Sequence, residues 1–459
     1  MFLFQFLLQF VNTIFRCIIN GYSEMIESSK KWKPIAAWCL YDFANSPFTT
    51  LIVTFIFSPF FVMSIVGDKV EGTRLWSLAI TISAIAIALI SPFFGALVDQ
   101  VGKRKILLFI MTAISIIGTT VLFWALPCQL DGNGEIVKAG YIYMALFWFI
   151  IANIAYELAF VLYNAFLPEI APTGMIGRIS GFGWAVGYLG GLLALFVALA
   201  GFVFTDTPWF GFTREAKENI RAINLLVALW FAVFSIPVFL FLHDKKSNLT
   251  TSRKHLMKST VIGLKNTFHE IRKYRQIVRL LMARMFYNDG LITIFTFSGI
   301  YATGTFGFST TEMLMLAISL NAAAGIGAFI MGFYDDRLGG KRTIQISIAG
   351  LIVAAVMAML APGKLWIWIA GIMAGIFSGP NQSASRSLMG RMVPEGKENE
   401  FYGFFAFSGK ATAFLGPFMF GLITTLFDSQ RAGIFVVVVF FIIGGLIMFW
   451  VDEAGDDKK

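Results

Sequence analysis

Apolar stretches of about 20 residues or more recur along almost the whole chain, separated by polar turns. They lie near 36–66, 75–98, 106–126, 141–166, 180–204, 221–242, 281–303, 312–334, 343–361, 365–389, 401–426 and 432–451. A helix needs about 20 mostly apolar residues to cross a bilayer, so the pattern predicts twelve transmembrane helices. Most of the turns are short, which makes the spans a bundle of helical hairpins. A membrane barrel would show strands of about 10 residues with alternating polarity instead. The expected fold class is therefore an all-α membrane protein.

Composition narrows the function classes. Of 459 residues, 57% are hydrophobic and 14% charged, and the mean hydropathy is +0.75. Soluble domains carry about 45–50% apolar and about 25% charged residues. This balance excludes a soluble enzyme, a disordered chain and a nucleic-acid-binding domain, in spite of the net charge of +9. The positive-inside rule accounts for that excess. Lys103, Arg104, Lys105, Arg178, Arg337, Lys341, Arg342, Arg391 and Lys397 fall in turns on one side, with a basic linker and with Lys30, Lys31, Lys33, Lys458 and Lys459 at the ends. Fewer, among them Lys69, Arg74, Lys138, Arg214 and Lys364, fall on the other. Both termini are expected to be cytoplasmic. Cys17, Cys39 and Cys128 form no CxxC pair. His243, His255 and His269 are too far apart for a zinc motif. Neither metal nor cofactor is expected.

The spans divide the chain into an N-terminal amphipathic segment (1–33), a six-helix bundle (34–243), a linker (244–280), a second six-helix bundle (281–452) and a tail (453–459). In the linker Met257, Val261, Leu264, Phe268, Ile271 and Val278 recur at helical spacing among many Lys and Arg. Such a helix lies along the inner leaflet, drawn to anionic lipid. A regulatory or partner-binding domain is the rival reading, for which the stretch is short. Within the first 20 residues Gln5, Gln9, Asn12, Arg16 and Asn20 share one helical face. That run reads equally as an interfacial helix or as an extension with no role.

The two bundles are related in sequence. Gly95, Asp99 and Gly102, after the second span, align without gaps with Gly332, Asp336 and Gly339 after the eighth, and basic pairs follow in both. Pro172, Gly174, Gly181, Phe182 and Gly187 align likewise with Pro394, Gly396, Gly403, Phe404 and Gly409, before and within spans five and eleven. Two matches six spans apart predict a duplicated unit, and such pseudo-repeats are the common architecture of transporters, with the solute site between them.

Gly95 to Lys105 resembles the loop between the second and third helices of the major facilitator superfamily, G-x-L-x-D-x-x-G-x-[RK]-[RK]. The copy from Gly332 to Arg342 carries bulkier residues between Gly332 and Asp336. Four further stretches are similar to one branch of that superfamily. They are Trp38 to Phe48, Leu167 to Pro172 with Gly177 to Trp184, Tyr287 to Gly290, and Ser385 through Val393-Pro394-Glu395-Gly396 to Thr412. This branch groups the autophagy-related vacuolar amino-acid effluxers of fungi with a bacterial set called "unknown major facilitator". The resemblance covers roughly residues 33–452, and the compact loops are more like the bacterial set. It implies a secondary transporter of a small-molecule substrate, with amino-acid efflux as the extrapolation from the fungal members; a monomer is expected. It implies the plasma membrane of a bacterium, or the vacuolar membrane in a eukaryote. It also implies a conformational latch at Gly95, Asp99, Gly102 and Arg104 and again at Gly332, Asp336 and Gly339.

Charges inside the spans supply the candidate site. A charge in a bilayer costs at least about 2.5–3.5 kcal/mol, so it faces a cavity or a partner. Asp42, Glu157, Arg284, Asp289, Arg386 and Lys410 stand out, each in a polar stripe, as with Asn45 beside Asp42. At about 1.5 Å rise per residue, Lys410 and Glu157 lie about 15 Å into their spans. Three roles are open for these groups. Arg386 or Lys410 could take a carboxylate, and Asp42 or Glu157 an ammonium. Glu157 or Asp289 could carry a coupling proton. Structural ion pairing is the third, favoured for Asp42 and Arg284. The phosphate-binding pattern GxxxxGK[ST] is absent from the sequence, which argues against ATP-driven transport. The alternative function is a non-transporting receptor on a transporter scaffold. An intramembrane enzyme ranks last, because all three His lie in one polar stretch.

Overall fold

The computed structural model describes residues 29–130, 136–138, 140–244 and 256–453. The proposed N-terminal segment up to residue 28, the first part of the linker and the end of the tail lie outside the described residues. Among the described residues ten helices are long and apolar enough to cross a membrane. They are α1 (Trp32–Val66), α2 (Lys69–Val101), α3 (Arg104–Trp124), α4 (Ile142–Ile170), α5 (Ile176–Val203) and α6 (Glu215–Phe241), then α8 (Thr311–Leu338), α9 (Gly340–Leu360), α11 (Glu398–Leu426) and α12 (Gln430–Phe449). Two further helices, α7 (Arg275–Phe306) and α10 (Lys364–Met392), are as long. They fall short in apolarity because of their polar faces: Arg284, Asn288, Asp289 and Thr293 on α7, and Asn381, Gln382, Ser385 and Arg386 on α10. A two-stranded hairpin, β1 (Gln129–Leu130) with β2 (Ile136–Lys138), joins α3 to α4.

Local chemistry sets the helix ends. Asp68 accepts the Glu71 N–H to start α2. Gly102, in the left-handed region at φ 66°, ends it, as a residue without Cβ does at low cost. Ser309 and Glu312 form a reciprocal capping box at the start of α8. Pro417 lies four residues beyond Ala413 and has no N–H to donate to it. Helix α11 is accordingly broken, with one half over Glu398–Lys410 and the other over Leu415–Leu426.

The internal repeat is visible in the packing. Within the first half α1 packs on α5 and α6, α3 on α4 and α6, and α2 on α4. Adding six to each number gives the packing of the second half: α7 on α11 and α12, α9 on α10 and α12, α8 on α10. The cross-half contacts obey the same rule, α2 with α11 and α8 with α5. In α11 they concentrate on Glu398–Lys410, so the halves meet mainly at the end that carries the linker. Each half has its own apolar cluster, one around Phe48, Phe61 and Phe149, the other around Leu351, Phe441 and Met448. Large apolar side chains such as Leu89 and Phe435 face outward, as a lipid-facing surface requires.

The linker differs from its sequence reading at its C-terminal boundary. Its helix runs Leu256–His269, and after a short 3-10 turn α7 begins at Arg275. Ile277 and Leu280 are buried on its first two turns, so packing extends α7 beyond its apolar stretch. Met257, Val261 and Ile262 are exposed, whereas Thr260 and Thr267 are buried. Ser259 and Thr260 donate to Gln100 Oε1 on α2 (2.6 and 3.2 Å), and Lys397, at the start of α11, donates to Thr267. The linker helix thus straps the two halves together by its polar face.

Candidate functional site

Between the halves lies a cavity of about 210 Å³. Its lining comes from α4, α5, α7, α10 and α11 and carries Glu157, Arg284, Arg386 and Lys410. Glu157 and Lys410 form an ion pair across the halves at 2.6 Å, both partly open to the cavity. Lys410 is the last residue before the break in α11, where the helix has not yet turned away.

Arg386, 1% exposed, is the most enclosed charge of the site. Its Nη1 donates to Asp42 Oδ2 on α1 at 3.0 Å and to Asn164 Oδ1 on α4 at 3.3 Å. Its Nε and Nη2 donate to the Ser180 hydroxyl and carbonyl on α5 (2.9 and 2.7 Å). The faces of Trp38 and Trp184 lie 4.6 and 5.5 Å from the guanidinium carbon. Trp38 is itself fixed by a bond from Nε1 to the Tyr163 carbonyl and by stacking on the Tyr163 ring. Here one side chain of the second half is held by three helices of the first. A planar fork of donors suits this role better than a Lys ammonium.

The sequence-predicted residues therefore separate. Asp42 and Arg386 pair with each other, and Glu157 pairs with Lys410. Asn45, buried beside Asp42, accepts from the Tyr156 hydroxyl at 3.4 Å. Asp289, 1% exposed, does not line the cavity. It sits against Gly416 at the start of the second half of α11, and its Oδ1 has no partner among the described residues. Ser180, Trp38 and Tyr163 were not singled out from the sequence as parts of the site. Trp38 and Ser180 lie in stretches that resemble the effluxer-like branch, but nothing local ties them to Arg386, which is about 200 residues from Ser180 and further from Trp38.

At the linker end both Asp residues of the repeated motif cap a helix of the opposite half. Asp99 accepts from the Asn399 N–H (3.2 Å), the Asn399 side chain (2.6 Å) and the Glu400 N–H (2.8 Å), at the start of α11. Asp336 accepts from the Gly177 N–H (2.8 Å), the Arg178 N–H (3.3 Å) and Arg178 Nε (2.5 Å), at the start of α5. A carboxylate there meets unpaired N–H groups and the positive end of the helix dipole. Gly95 lets this happen, since a Cβ on it would overlap the Asn399 carbonyl. Gly332 packs likewise on Arg178, and Gly339 ends α8 at φ 88°. Arg104 turns to its own half, donating to Glu169 (2.9 Å) and the Ala165 carbonyl (3.0 Å), with Glu398 at 4.0 Å.

The repeated pattern also holds within each half. Asp244, after α6, accepts from the Lys105 N–H at 2.9 Å, and Glu453, after α12, from the Gly340 N–H at 2.8 Å. Asp335 accepts from Arg391 at 2.7 Å and from Ser387. The capping carboxylates Asp244 and Glu453 lie outside the matched motifs and were not legible as repeats.

Comparison with known proteins decides the family. The sequence model described as "Vacuole effluxer Atg22 like" matches residues 61–456. The chain belongs to that family. An MFS-type transporter of Bacillus subtilis, YxiO, itself uncharacterized, is 24% identical over 421 residues, 91% of this chain and 94% of its own length. Autophagy-related protein 22-1 of Aspergillus fumigatus is 24% identical over 290 residues. That match spans 58% of this chain and about half, 46%, of the fungal protein. Among solved structures, the proton:xylose symporter XylE superposes with a TM-score of 0.69 at 14% identity, covering 93% of this chain and 96% of its own. The human organic anion transporter MFSD10 does so with 0.70 at 11%, covering 91% and 99%. This Atg22-like chain thus has the major facilitator fold and is a multi-pass membrane protein and a secondary transporter rather than an enzyme.

Proposed function

We propose that the chain carries an amino acid across the membrane by alternating access of two six-helix halves, with α7 and α10 completing twelve spans. The observation that carries this reading is the Glu157–Lys410 pair, which joins the halves and faces the cavity between them. An α-amino group can replace the Lys410 ammonium at Glu157, and an α-carboxylate can replace Glu157 at Lys410. Such an exchange keeps every buried charge paired, which is the condition for occupancy in a low-dielectric site. It also releases the direct tie between the halves, so binding and rearrangement are linked. Arg386 and Asp42 then act behind the cavity as the gate on the linker side rather than as the first contact of the solute.

The positive-inside distribution supports a cytoplasmic linker and cytoplasmic termini. With that orientation the latched structure is closed to the cytoplasm. The relative that aligns over nearly its full length is bacterial, which supports the bacterial plasma membrane, and the family description supports efflux. The exposed apolar residues of the linker helix, among basic ones, support contact with the anionic inner leaflet. Asp289, buried with an oxygen unpartnered among the described residues, is the carboxyl to which we assign proton coupling.

The test is counterflow of labelled amino acids in proteoliposomes. Saturable accumulation that an unlabelled amino acid abolishes is expected, and Glu157→Gln and Lys410→Gln are each expected to lower it about tenfold or more. Accumulation of sugars or drugs but of no amino acid would overturn the substrate class. Asp289→Asn is expected to lower accumulation driven by a pH gradient more than counterflow exchange. Equal loss of both would remove the coupling role.

A further inference from the structure

The cavity holds one cation too many. Glu157 and Lys410 neutralise each other, and Arg386 is neutralised by Asp42. Arg284 on α7 has no carboxylate within ion-pair distance among the described residues. Its Nη1 donates to the Phe405 carbonyl at 2.8 Å and to the Ser408 hydroxyl at 3.0 Å, both neutral. Its guanidinium carbon lies 3.7 Å from the centre of the Phe405 ring. Gly409, next to Lys410, leaves the room it occupies, since a Cβ there would meet Arg284 Nη1. So two cations, Arg284 and Lys410, line one cavity, and Glu157 is the one carboxylate among its lining residues.

A second observation points to a polar occupant. Asn381 is fully buried on α10, lines the same cavity, and neither atom of its amide has a partner among the described residues. Trp184 Nε1, also on the lining, is unpartnered in the same sense. Buried polar groups are normally hydrogen-bonded, so unpaired ones at a cavity mark where a polar solute or water binds.

From this we infer that the solute bears a net charge of −1, a dicarboxylic amino acid, and that Arg284 is the specificity residue that takes its second carboxylate. The inference rests on the amino-acid reading above. The α-amino group meets Glu157, one carboxylate meets Lys410 and the other meets Arg284, whose fork can bind a carboxylate through two parallel hydrogen bonds. A neutral amino acid leaves Arg284 unpaired, and a basic one adds a further positive charge, so both are disfavoured. The Asn381 amide and the Trp184 N–H supply the remaining polar contacts.

The experiment is counterflow in proteoliposomes with labelled glutamate, aspartate, alanine, leucine and lysine, and with succinate as an acid lacking the amino group. The expected result is glutamate or aspartate accumulation about tenfold or more above alanine and leucine, with lysine lowest. Arg284→Gln is expected to cut that preference about tenfold or more, and Arg284→Lys, which keeps the charge but not the fork, to cut it less. A wild-type protein that prefers alanine or leucine, with the same preference in Arg284→Gln, overturns the inference and leaves the amino-acid reading standing. Succinate carried as well as glutamate supports the Arg284 assignment and overturns the amino-group requirement. Carriage of none of the six overturns both. If Arg284→Gln is not recovered folded, Arg284→Lys carries the test: its KM for glutamate rises more than its KM for alanine, and equal changes overturn the assignment.

Discussion

Arg386 donates to acceptors on three helices of the other half, so its charge is settled only while the halves are closed around it. Removing one member of a buried ion pair strands the other and costs about 3–5 kcal/mol, whereas replacing both by neutral groups costs much less. Asp42→Asn is therefore expected to lower the thermal unfolding midpoint of the purified protein more than the double variant Asp42→Asn with Arg386→Gln. A double variant destabilised relative to the wild type by the sum of the two single effects would show that the two side chains do not depend on each other. The sequence exposes each of these charges as anomalous in an apolar span, and it shows that each needs a partner. It does not show which partner, because Asp42 and Arg386 lie 344 positions apart. It equally leaves Ser180 and Trp38, which lie in the family-like stretches, without a role, since a serine or a tryptophan in a membrane helix is unremarkable until a guanidinium is placed beside it.

The helices meet across the halves through two matched devices, an Asp cap and a glycine that admits it. Each cap of a partly buried helix N-terminus is worth about 1–2 kcal/mol, and about 1.4 kcal/mol changes a two-state ratio tenfold. Asp99→Asn is expected to move the population about tenfold toward the form open at the linker end and to slow turnover more than it weakens solute binding. Comparing Kd with the counterflow rate checks this, and equal loss of both would contradict a latch. Gly95→Leu is expected to act in the same direction by holding α2 off the start of α11, where the Asn399 backbone leaves no room for a side chain. Accessibility of an introduced cysteine at the linker end reports it, and unchanged labelling would count against close packing as the means of closure. At this scale the motif and its repeat were readable in Gly95, Asp99, Gly332 and Asp336, because a turn is local in sequence. The break in α11 and the early start of α7 at Arg275 were not read, since apolarity measures lipid contact and these helices answer to protein neighbours.

As a whole, the molecule is two copies of one helical packing scheme joined by two caps and the linker helix at the linker end and by one buried and one cavity-facing ion pair. The recurring apolar stretches foretold an all-helical membrane bundle, and the gapless matches foretold the related packing of its two halves. How the halves sit on each other was beyond the sequence, because that arrangement is one of several the same contacts must permit. The central claim is that this arrangement is one of two states between which the halves rock. Spin labels at Lys103 and Arg337, exposed on the linker end of either half, test it in a background with Cys17, Cys39 and Cys128 replaced by Ser. Two distances between the labels are expected by double electron-electron resonance, the longer one gaining population with Asp99→Asn and Asp336→Asn combined. A single distance, unchanged by those substitutions and by solute, would contradict it.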